Sequence, residues 1–126
     1  MVSLEMAFAG AMIGTVTMGL LGTAVVGWTR SGLQAAATAT ARCVALGDPA
    51  CASAQSYAVT KASGWVFPGI IANSDVTVTS ATTCNGASGS YTRVTISSSH
   101  WATTALPVPH SATTLTVTAC YLSAAT

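Results

Sequence analysis

A long apolar segment that carries no charge over residues 6–29 lies near the start of this chain. A helix needs about 20 such residues to cross the hydrocarbon core of a bilayer, and this segment supplies about 24. Glu5 stands directly before it and is the only charged side chain that precedes Arg30. Because a carboxylate costs about 2.5 kcal/mol or more in a membrane-spanning helix, Glu5 needs a positively charged partner. The nearest positive group is an N-terminal amine, either its own or that of a neighbouring copy of the chain.

The composition argues against an enzyme or a nucleic-acid-binding protein. Only 6% of the residues are charged, against about 25% in an ordinary soluble domain. The formal net charge is +1 and the four basic residues are scattered, so the sequence has no basic patch for nucleic acid. It has no G-x-S-x-G, H-E-x-x-H or G-x-x-x-x-G-K motif, and its three acidic residues and two histidines are few for acid–base chemistry. We therefore expect no catalytic site, no cofactor and no metal ion.

Four cysteines predict two disulfides and hence an oxidising, extracytoplasmic compartment. Their spacing contains no C-x-x-C pair, which argues against a zinc site, and four free buried thiols are the alternative. Four cysteines allow three connectivities, among which the sequence does not choose. The pairing that we favour joins Cys43 to Cys51 at the end of the first helix, and Cys84 to Cys120 at the ends of two strands.

The basic residues after the apolar segment conflict with an extracytoplasmic location for the rest of the chain. The positive-inside rule would place Arg30 and Arg42 in the cytoplasm, whereas the cysteines place the same region outside. The two agree if a short basic leader preceded Met1 and was removed. We therefore expect Met1 to be the first residue of a processed chain.

One helix is predicted from residue 1 to about residue 46, where Gly47, Asp48 and Pro49 end it. At 1.5 Å per residue it measures about 70 Å, far more than a bilayer core. Residues 1–29 are therefore the predicted membrane segment. The second part of the helix is expected to pack on the C-terminal domain, residues 47–126, which we call the head.

Gly10 and Gly14 lie in the apolar segment with the spacing that helices use to pair closely in lipid. Close packing between helices is the interpretation that we favour. The alternative is that the glycines let the helix unwind locally when it leaves the bilayer, since each disfavours a helix by up to about 1 kcal/mol relative to alanine.

The head is predicted to contain a short helix and a three-stranded antiparallel sheet. The helix is expected within residues 50–64, from apolar residues near helical spacing. Asn85-Gly86 and Gly89 mark the turn between the first two strands, and a longer loop over residues 98–112 joins the second to the third. The predicted fold class is α+β, with the sheet packed on the second half of the long helix. The strands, which alternate with a period of two, are residues 75–83, 91–97 and 113–121.

Three aromatic residues of the head, Trp65, Phe67 and Trp101, fall in predicted loops. Aromatic loop residues can form an adhesive or sugar-stacking surface. The interpretation that we favour is that they cover the sheet or fill contacts between subunits, as aromatic residues commonly do at interfaces.

The sequence V-S-L-E-M-A at residues 2–7 is followed by an Ala-rich continuation to residue 42 and by a small head with four cysteines. In these features the chain resembles the type IV pilin superfamily, most closely TadE-like pilins and pseudopilins, which have a small disulfide-bonded head. Met6 stands where Tad-type subunits usually carry an aromatic residue. The resemblance implies that a prepilin peptidase cleaves before the apolar segment, that Met1 is the processed N-terminal residue, and that Glu5 is the glutamate of the superfamily.

The function that this resemblance implies is that of a structural subunit. The chain would sit in the cytoplasmic membrane and then, through the pilus assembly machinery, polymerise with its own copies into an extracellular helical filament at the cell surface. Glu5 would pair with the Met1 amine of a neighbour; an unpaired charge in an apolar core costs about 3–5 kcal/mol, so Glu5 would enforce register. The simpler alternative for Glu5 is a favourable interaction with the helix dipole, below about 1 kcal/mol. Alternatives for the whole chain are a minor pseudopilin that primes or caps a filament and a membrane-anchored adhesive module.

Overall fold

The computed structural model describes residues 2–66, 68–99 and 114–123. Its three strands form one antiparallel sheet in the order β1-β2-β3. The predicted α+β fold is confirmed: a long N-terminal helix, apolar in its first half, packs by its second half on a three-stranded antiparallel sheet. The elements in chain order are α1 (Val2–Ala45), a 3-10 turn (Pro49–Cys51), α2 (Ala54–Ser63), a second 3-10 turn (Asn73–Asp75), β1 (Val76–Cys84), β2 (Ala87–Ser98) and β3 (Leu115–Leu122).

The end of α1 is set by a glycine in the left-handed region, as the sequence predicts. Gly47 has a φ of 67°, which a residue with a side chain adopts only with strain. The amide of Asp48 donates to the carbonyl of Cys43 (3.2 Å), and the amide of Gly47 donates to that of Val44 (3.1 Å). These two bonds form a Schellman motif, which satisfies carbonyls that the helix leaves free. Pro49 then prevents the helix from continuing.

The core is formed by the second half of α1, by α2 with the segment that follows it, and by one face of the sheet. On the helix side the buried residues are mostly small, so that the helix backbone comes close to the strands. Buried residues in the second half of α1 form a surface that we call the alanine face. They pack with the inward-facing residues of β2 and β3. The alanine face comprises Leu33, Ala36, Ala37 and Ala41, and the sheet residues are Val94, Ile96, Leu115, Val117 and Ala119.

Two hydrogen bonds tie this core to its surroundings. The side-chain amide of Gln34 in α1 donates to the carbonyl of Thr118 on the outer strand β3 (3.0 Å). The buried hydroxyl of Ser98 at the end of β2 donates to the carbonyl of Ile70 (2.6 Å), which fixes the segment before β1. Both bonds satisfy backbone carbonyls outside the regular ladder.

The second helix is shorter than the predicted range of residues 50–64. Asp48 accepts a hydrogen bond from the amide of Ala50 (2.9 Å), which caps a 3-10 turn at Pro49–Cys51. Cys51 is held by its disulfide in this turn, and α2 begins only at Ala54. A local cap and a covalent bond therefore take precedence over the helical pattern in the first four residues.

The turn between β1 and β2 consists of Asn85 and Gly86 alone. Both have positive φ, 50° and 82°, as a two-residue hairpin turn of the type that Asn-Gly favours requires. The prediction that Gly89 belongs to the turn is wrong, because Gly89 lies in β2. The pairing of β1 with β2 shifts by one residue between Ala81 and Thr83, which is a β-bulge beside Gly89.

The two disulfides join Cys43 to Cys51 and Cys84 to Cys120, which is the pairing favoured from the sequence. The second disulfide connects the outer strands across β2, with Cα atoms 6.4 Å apart. The two cysteines are not level in the sheet, because Cys84 pairs with Ala87 of β2 whereas Cys120 pairs with Arg93. The end of the β1–β2 hairpin therefore bends towards β3, and the β-bulge, a feature that increases bending and twist, lies between these two positions.

Removing the Cys84–Cys120 disulfide should destabilise the head more than removing the Cys43–Cys51 disulfide. The sequence separations are 36 and 8 residues, for which loop-closure entropy gives losses of about 4 and about 2.5 kcal/mol. We expect the double variants C84A/C120A and C43A/C51A to lose free energy of unfolding in that order, in denaturant titrations of the full chain in detergent micelles. A larger loss from the shorter loop would contradict this account.

Candidate functional site

The first half of α1 contacts no other element over most of its length. All side chains from Ser3 to Leu21 are exposed, and Leu4, Met6 and Phe8 each expose 73% of their surface. Apolar residues occupy every face of this segment, which we call the apolar half of α1 (residues 2–28). A helix that is apolar all round is stable only inside protein or lipid. By length and composition, α1 contains one candidate membrane span, Ser3–Ala45.

The threonines of the apolar half hide their hydroxyl groups in the helix itself. Thr15, Thr17 and Thr23 donate to backbone carbonyls one turn earlier, at distances of 2.9, 2.7 and 2.9 Å for the shortest bonds. A hydroxyl that is already hydrogen-bonded costs much less to transfer into an apolar environment than a free one. These residues therefore do not interrupt the apolar surface.

Glu5 is the exception on this surface. Its side chain is exposed in the first turn of α1. Arg30, the next charged residue, lies about 37 Å further along the helix. The other two acidic residues have local structural roles: Asp48 accepts from the amide of Ala50, and Asp75 accepts from the amide of Ala72. Met1, the predicted assembly partner, lies outside the described residues.

Gly10 and Gly14 lie on the exposed helix and face open space. A Cβ atom added at either position would meet no atom within 4 Å in the described part of the chain. The two glycines therefore have no packing role in the described subunit, and their faces are accessible to another molecule.

Gly32 shows the opposite behaviour, at the point where α1 meets the head. A Cβ atom there would lie 2.9 Å from Cγ1 of Val66 and 3.0 Å from Cβ of Trp65. Trp28, one turn earlier, donates from its indole nitrogen to the carbonyl of Trp65 (2.8 Å). The absence of a side chain at Gly32 thus lets the segment after α2 lie directly on α1. We call Trp28, Gly32, Trp65 and Val66 the junction.

An apolar groove of about 550 Å³ adjoins the junction. One wall is α1 and the other is the segment directly after α2. Although Trp28 and Trp65 lie beside the groove, they remain 66% and 57% exposed. The lining residues are Leu21, Ala24, Val25, Trp28, Thr29, Gly64, Trp65, Val66 and Pro68.

The structure brings only some of the predicted site residues together. Glu5, Gly10 and Gly14 lie on the apolar half, the four cysteines form two pairs, and Trp65 lies at the junction. Phe67 and Trp101, together with Met1, lie outside the described residues, as does most of the predicted loop over residues 98–112. In the described part of the chain, no three His, Cys, Asp or Glu side chains are grouped as metal ligands would be.

Trp28 and Gly32 are not among the residues predicted from the sequence. Trp28 carried a usable signal, since a tryptophan between an apolar run and the first basic residue is typical of a membrane–water interface. Gly32 carried none, because the side chains that would clash with it are more than 30 positions away in sequence.

Comparison of the chain with protein-family models, curated proteins and solved structures gives no match. The function of the chain is therefore inferred from its own residues.

Replacing Gly32 by alanine should loosen the junction. The new methyl group would force Val66 and Trp65 away from α1, and overpacking of this kind costs about 1–3 kcal/mol. We expect a lower free energy of unfolding in detergent and faster hydrogen exchange at the amides of residues 64–66. Gly27→Ala is the matched control, because a Cβ atom at Gly27 meets nothing within 4 Å. Equal stability of the two variants would contradict the close approach at Gly32.

Proposed function

We propose that this chain is a structural subunit of a type IV-like, Tad-related pilus. In this proposal the subunit resides in the cytoplasmic membrane through the apolar half of α1, is processed by a prepilin peptidase so that Met1 is its first residue, and is then polymerised by the pilus assembly machinery. Copies of α1 form the core of an extracellular helical filament at the cell surface, and the heads form its outside. The chain takes part as a polymer subunit and not as an enzyme.

The observation that carries the proposal is the exposure of the apolar half on all its faces. A helix on the surface of a globular protein has one polar face, which solvent covers. Leu4, Phe8 and Ile13 are instead exposed together with the apolar residues on the other sides of the helix. A single lipid-facing helix would satisfy this surface, and so would a bundle of identical helices. The helix is longer than one bilayer needs, and the second half of α1 holds the head beside it.

Glu5 supports polymerisation over a purely anchoring role. An anchor gains little from a lone carboxylate at its start, whereas a filament core of identical helices would contain one such group for every subunit. The amine of Met1 in a neighbouring copy supplies a matching positive charge for each of them. An ion pair of this kind adds little net stability, but an unpaired buried charge costs about 3–5 kcal/mol. Packing registers that leave Glu5 unpaired are thus disfavoured.

The disulfides support an extracytoplasmic head. Disulfides persist in oxidising compartments and are rare in the cytoplasm. The Cys43–Cys51 disulfide also closes the end of α1 on the first turn of the head. The orientation of α1 relative to the head is thereby restrained next to the Schellman motif, as a filament with regularly placed heads requires.

Trp65 favours a contact near the helix over an adhesive surface. It lies at the junction, against α1, with Gly32 beneath its backbone and the groove beside it. This position is on the side of the head from which the apolar half extends.

Purified filaments distinguish a major subunit from the two alternatives, a minor pseudopilin and a membrane-anchored adhesive module. Filaments that consist mainly of this chain support the proposal.

Glu5→Gln should abolish most assembly and leave the head folded. The substitution removes the charge but keeps the size, so each neighbouring amine is left without its partner. An unpaired buried charge costs about 3–5 kcal/mol, and about 1.4 kcal/mol corresponds to a factor of ten, so filament yield should fall at least tenfold. The measurement is electron microscopy and quantification of sheared filaments, with intact mass confirming Met1 at the mature N-terminus and both disulfides.

The matched control for Glu5→Gln is Asp48→Asn. It removes one negative charge from the head, and asparagine is as good a cap as aspartate for the turn that begins at Pro49. We expect filament yield like that of the unmodified chain. Normal filaments from Glu5→Gln would refute the register role, and loss of filaments in both variants would point to a general effect of charge.

Gly10 and Gly14 distinguish close helix packing from local unwinding. Leucine at both positions should prevent neighbouring helices from approaching, without affecting the isolated subunit, because both positions face open space. Alanine at both positions keeps a small surface and strengthens the helix by up to about 1 kcal/mol for each residue. If the two glycines serve close helix packing, the alanine variant should form filaments and the leucine variant should not. Loss of filaments in the alanine variant would instead indicate unwinding.

A further inference from the structure

The junction combines two exposed tryptophans with a sudden change in the character of α1. The indole of Trp28 is held to the head by its hydrogen bond to the carbonyl of Trp65 (2.8 Å), yet both residues remain more than half exposed. Thr29, the next residue, is buried, and Arg30 is the first charge after Glu5. The helix therefore passes within three residues from a fully apolar segment to one that carries charge and supports the head.

The spacing between this point and Glu5 matches the thickness of a bilayer. From Glu5 to Trp28 the helix rises about 35 Å. This exceeds the hydrocarbon core of about 30 Å and is less than the 40–45 Å that include the interfacial regions. If Glu5 lies in the interface on one side, Trp28 lies in the interface on the other, which is where tryptophan side chains are enriched.

Trp65 extends this contact from the helix to the head. It is held beside Trp28, and the groove next to it is lined almost entirely by apolar side chains, including Leu21 and Val25 from the apolar half. The groove is thus continuous with the surface that a membrane would cover. The upper parts of phospholipid acyl chains fit its chemistry, since it presents few polar groups to them.

We propose that Trp28 and Trp65 form an interfacial anchor that seats the head of the unassembled subunit on the outer face of the phospholipid bilayer. The inference rests on the proposed function, in that the subunit resides in a membrane before assembly. It goes further in assigning the depth of insertion to two residues, and in placing the groove among the outer-leaflet lipids. A second copy of the chain is the competing occupant of the groove.

The test uses single-tryptophan variants of the full chain in phosphatidylcholine–phosphatidylglycerol vesicles with lipids brominated at different depths. The variants W65F/W101F and W28F/W101F retain Trp28 and Trp65, respectively. Bromine quenches tryptophan only at short range, so it reports depth. We expect bromine near the glycerol end of the acyl chain to quench both residues at least about twofold more strongly than bromine near the chain end, as interfacial residues should be.

Two controls calibrate the depth scale, both in the W28F/W65F/W101F background. Thr79→Trp places the probe on an exposed position of β1 and should not be quenched. Val16→Trp places it in the middle of the apolar half and should be quenched most by bromine near the chain end. Failure of Val16→Trp to be quenched would refute the membrane stage of the proposed function itself.

Three results would overturn the anchor. With Val16→Trp quenched as expected, absence of quenching at Trp28 and Trp65 would show that the head stands clear of the bilayer. Quenching of either residue mainly by deep bromine would place the junction inside the hydrocarbon core. Quenching that disappears as the protein-to-lipid ratio rises would show that a second copy, and not lipid, covers the groove. Absence of filaments bears on the proposed function and leaves this inference standing.

Discussion

The close packing of the alanine face on the sheet is the contact on which the rest of the structure depends. Ala36, Ala37 and Ala41 are at most 1% exposed, so a larger side chain at any of them would have to displace neighbouring core residues. Because the head is held by this short stretch, the apolar half of α1 is left without contacts to other elements over most of its length. The same interface therefore supports the head and frees the helix that projects from it.

This division places two chemically different surfaces in one continuous helix. The apolar half needs lipid or other helices around it, whereas the head carries threonines and serines on the face of the sheet that is turned away from α1. Thr95 and Ser97 of β2, for example, lie within hydrogen-bonding distance of Thr118 and Thr116 of β3. The junction marks the boundary between the two surfaces. There Gly32 allows the head to pack directly on α1, and Trp28 donates a hydrogen bond to the carbonyl of Trp65. The end of the apolar half is thus fixed by tertiary contacts as well as by composition.

Local sequence signals predicted most of the fold, and non-local contacts account for what they missed. The end of α1 followed from Gly47 and Pro49, and the hairpin followed from Asn85-Gly86, since each is a property of adjacent residues. Gly89 was wrongly assigned to the turn, because a glycine is compatible with a turn and with a bulge, and pairing with β1 decides between them. The contact between Gly32 and Val66 and the bond between Trp28 and Trp65 join distant parts of the chain. The partner that the sequence predicts for Glu5, the Met1 amine of a neighbouring copy, stays a prediction, because it would belong to another molecule.

On the proposed function, the difference between membrane and filament is concentrated in few residues. Leucine, methionine and phenylalanine side chains gain little by exchanging lipid for protein neighbours, since both environments are apolar. Gly10 and Gly14 gain more, because a flat helix surface allows backbones to approach and increases van der Waals contact. Glu5 adds little net stability when it is paired, but a filament register that leaves it unpaired costs about 3–5 kcal/mol, so Glu5 selects among registers. A subunit stable in either environment can therefore still prefer the filament, and the preference is specific for the register that brings Glu5 to a neighbouring amine.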